Sequence, residues 1–147
     1  MGRKPASRPF PVDTTSVLIR KYTTHAMFIE KSSTLSDASK PVPFIKEIKW
    51  TDWSPSFLNY LRTIPGRDGH PLKYICREFD NPNPIPNPDF IDDYVPMAPF
   101  NGEAFVIDSS EVLTLIVKFI AGDETAEAKI FPFVVSNNGR GAFKALV

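Results

Sequence analysis

Apolar residues recur every three or four positions between residues 48 and 64, which is the spacing of one face of an α-helix. The residues on that face are Phe57, Leu58, Leu61 and Ile64. Pro65 ends the pattern, because the residue before a proline is pushed out of helical backbone angles. The stretch predicts a short amphipathic helix that must pack on another part of the chain to be stable.

The start of this helix is predicted at Ser54-Pro55. A serine oxygen accepts from an early backbone N–H, and a proline at the first helical position gives up an N–H that has no helical partner. Trp53 is placed before this cap to pack on Leu58 across the helix start. We therefore expect a helix over 54–64, with Trp50 and Trp53 at its entry.

A second helix is predicted after the turn at 66–70. Pro71 suits the first helical position, and the apolar residues that follow are again three and four apart. They are Leu72, Ile75, Cys76 and Phe79. Two amphipathic helices with so short a connection are expected to pack antiparallel as a hairpin.

Residues 80–99 contain six prolines, four of which alternate with other residues from Pro82 to Pro88. Because proline lacks an N–H and has a fixed φ, this segment is predicted to be an extended connector of the polyproline II type. The apolar residues expected to hold it against the helices are Phe90, Ile91, Tyr94 and Met97.

The most apolar helix is predicted over 108–122. Asp108-Ser109-Ser110-Glu111 matches a capping box, Ile107 and Val112 are spaced to pack across it, and Gly122 suits the left-handed residue that ends a helix. The segment is apolar on nearly every side, so a helix here must be central. Its β-branched residues leave a strand as the alternative.

The C-terminal part is expected to hold two short elements. Asp123 begins an amphipathic turn that runs through Ile130 and stops at Phe131-Pro132. Asn137-Asn138-Gly139 then caps a last helix. This helix is cut at Val147 without a stop signal, so the sequence predicts the first piece of a longer protein.

The predicted fold class is mainly α: a small helical domain over 44–147 with an extended connector, preceded by a basic leader and linker over 1–43. Residues 1–11 are expected to be disordered, 12–30 to form a loose strand pair or an ambivalent segment, and 31–43 to be a linker. The expected core combines the two tryptophans with the apolar helix faces. It consists of Trp50, Trp53, Phe57, Leu58, Leu61, Leu72, Ile75, Phe79, Val112, Leu113, Ile116, Phe119, Ile120, Phe143 and Leu146.

The charges sum to zero but are unevenly distributed. Residues 1–50 carry nine Lys/Arg against four Asp/Glu, whereas residues 51–147 carry eight against thirteen. A basic leader suits contact with nucleic acid or a neighbouring subunit, the alternative being a solvated tail. Arg3, Lys4 and Arg8 are the residues expected to contact an RNA backbone.

Few residues suggest metal or cofactor chemistry. The single cysteine excludes an internal disulfide, and His25 and His70 are not at the spacing of metal ligands. The acidic run Asp89, Asp92 and Asp93 lacks the glycine and glutamate of a calcium loop, which favours a solvated loop. We expect no cofactor, no metal and no small-molecule substrate.

Cys76 and His70 could form a catalytic pair, or Cys76 could be a structural residue. Cys76 with His70 as its base would form a cysteine hydrolase, but Cys76 falls on the predicted buried face, where a thiol is usually inert. Gly139-Arg140-Gly141 lacks the flanking residues of a phosphate-binding loop and is interpreted as a flexible helix entry. The hydrolase is therefore the less favoured alternative.

No membrane partner is expected. No apolar run approaches the roughly 18 residues of a membrane span, and residues 1–11 lack the apolar centre of a signal peptide. With a single cysteine, the composition indicates an intracellular, cytoplasmic setting.

Three motifs in fixed order carry a family resemblance: KWTDWSPSFLNYLRTIPGRDGHPLKYICRE at 49–78, DFIDDYVPMAPFNGEAFVIDSSEVLTLIVKFIAGDETAE at 89–127, and NNGRGAFKALV at 137–147. In this order the chain resembles the N-terminal Gag region of copia-type LTR retrotransposons, of the divergent kind found in algal and diatom genomes. The resemblance rests on order and spacing and covers most of 49–147.

The resemblance implies a structural, non-enzymatic α-helical capsid-type domain that self-associates into particles packaging the element's RNA. The chain departs from the family pattern in lacking the zinc knuckle, protease, integrase and reverse transcriptase, so such activities would lie beyond Val147. The alternative function is a nucleic-acid-binding or protein-interaction module that uses the basic leader.

Overall fold

The structure is a computed structural model that describes residues 40–45 and 47–147. Four α-helices form it: α1 over Trp50–Arg62, α2 over Gly102–Ile120, α3 over Glu124–Val135 and α4 over Gly139–Leu146. Two 3₁₀ turns, Leu72–Cys76 and Ile91–Tyr94, lie in the long connection between α1 and α2. The described part of the chain contains no β-strand among its elements, so the mainly-α prediction is confirmed.

Residues 1–39 and Lys46 lie outside the described residues. The predictions for the leader, for residues 12–30 and for most of the linker therefore stay predictions, as do those for Arg3, Lys4 and Arg8. The described chain already contacts the helices at residues 41–44. Pro41 is buried, the Val42 carbonyl accepts from the Trp53 indole N–H at 2.6 Å, and the Phe44 N–H donates to the Phe119 carbonyl at 2.8 Å.

The first helix exists but begins four residues before the predicted cap, at Trp50, so Pro55 lies inside it. Aromatic packing explains the earlier start. The Trp53 ring centroid lies 5.3 Å from that of Trp50 and 5.1 Å from that of Phe57, and helical spacing places all three on one side. Trp53 is thus a core residue within the helix and does not precede a cap at Ser54.

The predicted second α-helix and the helical hairpin are wrong. The segment is a 3₁₀ turn, and the chain becomes extended at Arg77, with φ −66° and ψ 154°. Leu72 and Ile75 are buried as the spacing predicted, but Phe79 is 46% exposed because the helical turn ends before reaching it. A 3₁₀ turn shifts the register of later side chains relative to an α-helix, which moves Phe79 off the buried face.

Two buried arginines hold the extended connection in place. Arg77 donates to the carbonyls of Phe79 and Val95, at 3.1 and 3.0 Å, and to that of Ala98. Arg140 on α4 donates to the carbonyls of Ile75 and Arg77 at 2.9 and 2.5 Å. Each guanidinium has five N–H donors, so it can satisfy carbonyls that no helix or sheet pairs.

Phe100 and Asp80 complete this arginine network, which we define as Arg77, Arg140 and their carbonyl partners. The guanidinium carbons lie 3.9 and 4.0 Å from the Phe100 ring centroid, within cation–π distance. The Asp80 carboxylate accepts from Arg140 at 2.8 Å, and this contact, followed by the charge of Lys144, lowers the pKa of Asp80. The proline-rich connector is therefore fixed by side chains from both of its ends and from α4.

The predicted helix over 108–122 is confirmed against the strand alternative, but its start is wrong. The helix begins at Gly102, and Asp108 lies in its second turn, 1% exposed, where it caps nothing in its own helix. Its carboxylate contacts another segment of the chain. The predicted end is confirmed, because Gly122 has the left-handed φ of +96° that a glycine accepts without strain.

The two C-terminal helices agree with the prediction at their starts. Asp123 accepts from the Ala126 N–H at 3.0 Å, and Asn138 accepts from the Gly141 N–H at 2.9 Å. The predicted stop at Phe131-Pro132 is wrong, since α3 continues through Pro132 to Val135. Ile130 and Phe133 pack against the core on either side of the proline, and this packing outweighs its local effect.

The core lies between α1, α2, α4 and the first 3₁₀ turn. Most expected core residues are buried, whereas Trp50 and Leu58 are partly buried against the core and Phe79 is exposed. The buried ones are Trp53, Phe57, Leu61, Leu72, Ile75, Val112, Leu113, Ile116, Phe119, Ile120, Phe143 and Leu146. Of the residues expected to hold the connector, Tyr94 is buried whereas Phe90 is 71% exposed. Further buried apolar residues, which the sequence did not indicate, are Tyr74, Ala98, Ala126, Ile130 and Ala142.

Arg140→Lys is expected to lower the free energy of unfolding by about 2 kcal/mol. A lysine ammonium cannot reproduce the planar set of N–H donors of the guanidinium, so it leaves buried carbonyls unsatisfied. Urea denaturation followed by circular dichroism measures this. The matched control is Arg67→Lys, since the Arg67 side chain is 60% exposed and lies 3.9 Å from the Glu103 carboxylate. That change should stay within about 0.5 kcal/mol. Equal losses for the two variants would contradict a structural role for the buried guanidinium.

Candidate interaction surfaces

A buried carboxylate, Asp108, joins three segments of the chain. It accepts from the Tyr74 hydroxyl at 2.6 Å and from the Arg67 N–H at 2.8 Å. Gly66 passes so close that an added Cβ would lie 2.5 Å from a carboxylate oxygen. Burial raises the pKa of Asp108, and burial together with the hydrogen bond to Asp108 raises the pKa of Tyr74.

The space beside Asp108 is too small for a substrate. The cavity measures about 30 Å³ and is lined by His70 and Tyr74 as well as Asp108. That volume corresponds to about one water molecule. The His70 ring centroid lies 6.0 Å from each of the Tyr74 and Tyr94 rings, so the histidine is part of an aromatic cluster. The arrangement suits a structural link between α2, the 66–67 turn and the first 3₁₀ turn.

The structure does not bring Cys76 and His70 to one cavity. His70 lines the small cavity at Asp108, whereas Cys76 lines a separate groove next to α1. Burial raises the pKa of the Cys76 thiol, and the nearby charges of Arg140 and Lys73 only partly offset this. A cysteine nucleophile needs the opposite shift, so these observations count against the hydrolase alternative.

Other candidates from the sequence have structural roles. Gly139-Arg140-Gly141 is not a flexible helix entry: Arg140 is 9% exposed, and a Cβ on Gly139 would overlap the Ser109 carbonyl oxygen of α2. Asp92 pairs with Arg62 at 2.5 Å. Within the described ranges, no three His, Cys, Asp or Glu side chains are grouped so that they could hold a metal ion.

A groove of about 560 Å³ opens between α1, the first 3₁₀ turn and the end of α4. Its volume lies within the range of pockets that bind small molecules or peptide side chains. The apolar lining residues are Trp50, Leu58, Cys76, Val95, Phe143 and Val147. Its charged lining residues are Lys73, Arg77, Glu78 and Lys144, so cations outnumber anions.

A second surface is the exposed side of α3, which we call the α3 apolar face. Phe131 is 65% exposed, Val134 41% and Val135 74%, and no charged residue follows Lys129 in this helix. Ala128 and Pro132 are exposed as well. Ile130, next to Phe131 in the sequence, is 2% exposed, so the helix presents apolar residues both to the core and outward. Such a helix is typical of an element that contacts a partner.

Sequence reasoning missed both surfaces. It ended α3 at Pro132, so the exposed apolar residues were never assigned to a helix face. The spacing of Phe131 and Val135, four apart and offset from Ile130, contains that signal once the helix is known to continue. The groove could not be predicted, because it is formed by residues from three distant segments.

Comparisons with protein-family models, with curated proteins and with solved structures give no significant match. Among the described helices, none has both the length and the apolar character needed to cross a membrane. The functional interpretation therefore depends on the surfaces and on the resemblance of the sequence motifs.

The Asp108 carboxyl should give the stability a distinct pH dependence. It ionises near 3.8 when unfolded and at higher pH when folded, so the folded state binds more protons between the two pKa values. Stability from this group is present below pH 3.8 and is lost as pH rises through the folded pKa. The loss of unfolding free energy in Asp108→Asn, relative to the wild type, should therefore be largest at low pH.

Urea denaturation of both proteins across the acidic range tests this. A constant difference in unfolding free energy between wild type and Asp108→Asn would contradict the raised pKa. Asp108→Ala also removes the titrating carboxyl, so its difference from the wild type should follow the same pH trend. Because it leaves the Tyr74 hydroxyl and the Arg67 N–H without an acceptor, it should be less stable than Asp108→Asn by about 1–3 kcal/mol across the acidic range.

Proposed function

We propose that the chain is a structural, non-enzymatic, Gag-like fragment of a retrotransposon that self-associates and takes part indirectly in packaging the element's RNA. The observation that carries the self-association is the α3 apolar face. Phe131 and Val135 expose more than half of their surface on a helix whose other side is already buried in the core. The retrotransposon origin rests on the three ordered sequence motifs.

A second copy is the partner that this face suits. In a two-fold contact each surface meets its own copy, so a charged surface would repel itself, whereas an uncharged apolar one is self-complementary. The α3 apolar face has no charged residue after Lys129, and its acidic residues Glu124 and Glu127 lie toward the start of the helix. Two such helices can therefore pair without placing like charges opposite each other.

We assign RNA contact to the basic leader, and we place the protein inside the cell, where the element's RNA would be packaged. Arg3, Lys4 and Arg8 supply the cations, and electrostatic contact with phosphates needs no built pocket. The nucleic-acid or protein-interaction module remains the alternative, and it differs in requiring no self-association.

The double change Phe131→Ser with Val135→Ser should abolish or strongly weaken self-association. Removing two exposed apolar anchors from an interface typically weakens binding by at least about tenfold. Sedimentation velocity over a concentration series measures the effect. Both residues are exposed, so circular dichroism and the urea midpoint should stay close to the wild type.

Val117→Ser is the matched control, because Val117 is 42% exposed on α2 and lies outside the α3 apolar face. It should leave association unchanged. A wild-type chain that stays monomeric at every concentration would contradict the proposed function, and so would a double variant that associates as the wild type does.

Arg3→Ala, Lys4→Ala and Arg8→Ala together should weaken RNA binding and flatten its salt dependence. Each lost contact to a single strand should reduce the slope of log K against log salt by about 0.7. Fluorescence anisotropy with a labelled single-stranded RNA at several salt concentrations provides the measurement. The control removes Lys118, an exposed cation on α2. An unchanged slope in the triple variant would exclude the leader as the RNA contact.

A further inference from the structure

We propose that the groove beside α1 receives Phe90 from a second copy of this chain. This inference rests on the proposed self-association and adds a second contact, distinct from the α3 apolar face. It starts from an exposed phenylalanine on a rigid turn and from a cationic groove that its own copy leaves open.

Phe90 is exposed although its backbone is fixed. It is 71% exposed, and the Asp93 carboxylate accepts from the N–H groups of both Asp89 and Phe90 at 3.2 Å. Tyr94, at the end of the same 3₁₀ turn, is fully buried and anchors it. Asp92 pairs with Arg62 on α1 at 2.5 Å. We call residues 89–93 the Phe90 turn; it presents an aromatic side chain that loses little freedom on binding.

The groove complements the Phe90 turn in both polarity and charge. Its apolar lining includes Trp50, Leu58 and Phe143, which can contact an aromatic ring. Lys73 also lines it, and among the described residues Lys73 has no carboxylate within ion-pair distance. The Phe90 turn carries three carboxylates, Asp89, Asp92 and Asp93, against the cation Arg62 that pairs with Asp92, so its formal charge stays negative. An acidic aromatic turn is thus matched to a cationic apolar groove.

The proposed contact joins the Phe90 turn of one copy to the groove of another. Among the described residues, Phe90 does not line the groove of its own copy, and it is 71% exposed. Each copy therefore presents one exposed phenylalanine and one groove. Contacts between two different surfaces are heterologous and generate rings or open chains, whereas the α3 apolar face pairs two copies symmetrically. Together the two contacts would extend dimers into larger assemblies.

The first experiment compares wild type, Phe90→Asp and Lys73→Glu by sedimentation velocity over a concentration series. Wild type should assemble beyond the dimer. Both variants should stop at the dimer formed by the α3 apolar face, with the affinity of the second step reduced at least about tenfold. The matched controls are Val117→Asp, another exposed apolar residue, and Lys118→Glu, another exposed lysine on α2; both should assemble as the wild type does.

The second experiment mixes two variants that both carry Phe131→Ser and Val135→Ser, which remove the symmetric contact. The first variant also carries Phe90→Asp and keeps an intact groove. The second also carries Lys73→Glu and keeps an intact Phe90 turn. Each should be monomeric alone, whereas the mixture should form a heterodimer and stop there, because only one productive contact is left. A mixture without heterodimer would overturn the proposal.

The third experiment identifies the occupant directly. A photoreactive phenylalanine analogue at position 90 should cross-link to residues 50–58 or 143–147 of another copy, distinguished from its own by isotope labelling. Cross-links confined to the same copy, or to other surfaces such as α3, would overturn the proposal.

The outcomes also separate the two proposals. A dimer that never grows larger and is unaffected by Phe90→Asp would contradict the groove contact and leave the proposed self-association standing. Association that Phe90→Asp abolishes but the α3 double variant retains would support the groove contact alone. A chain that is monomeric throughout would contradict both.

Discussion

The rest of the structure depends on two guanidinium groups that replace regular secondary structure. The connection from Arg77 to Asn101 contains prolines that cannot donate, and it crosses the domain without a sheet or an α-helix. Arg77 donates to the Val95 and Ala98 carbonyls within it, and Arg140 donates to the Arg77 carbonyl at its start, so both ends of the segment are held against the fold although most of its residues are exposed. Because Arg140 lies on α4, the same contacts position the C-terminal helix against the first 3₁₀ turn. The groove beside α1 exists only while these three elements keep this arrangement.

Local sequence signals predicted the existence of most helices and failed where a side chain found a distant partner. Asp108 heads a stretch that matches a capping box, but its carboxylate binds Tyr74 and Arg67, so α2 continues past it toward Gly102. Ser54-Pro55 matches a helix start, but the contact between the Trp50 and Trp53 rings brings the preceding turn into α1. In both places tertiary contacts outweighed a local preference of about 1 kcal/mol. Asn138 and Asp123 accept from N–H groups of their own helices, and they cap as the sequence predicted.

The two candidate surfaces differ in how far a sequence could predict them. The α3 apolar face is contiguous in sequence, so its periodicity is readable once Pro132 is allowed inside a helix. The groove depends on where the 3₁₀ turn ends and where α4 is held, and neither follows from spacing. Arg140 shows the same limit, because its flanking glycines suggested flexibility, whereas they permit close approach to Ser109 and Phe133. Small residues alone do not distinguish a mobile segment from a tightly packed one.

Both tryptophans of the chain lie in one aromatic cluster at the start of α1. Trp50 is 5.5 Å from Phe44 and 5.4 Å from Phe143 between ring centroids, and the Trp53 indole N–H is bound to the Val42 carbonyl. Intrinsic fluorescence therefore reports on the junction of residues 42–44, α1 and α4, and is nearly blind to the exposed side of α3. An emission change during assembly would locate the event at this junction, whereas pairing through α3 would leave the spectrum unaltered.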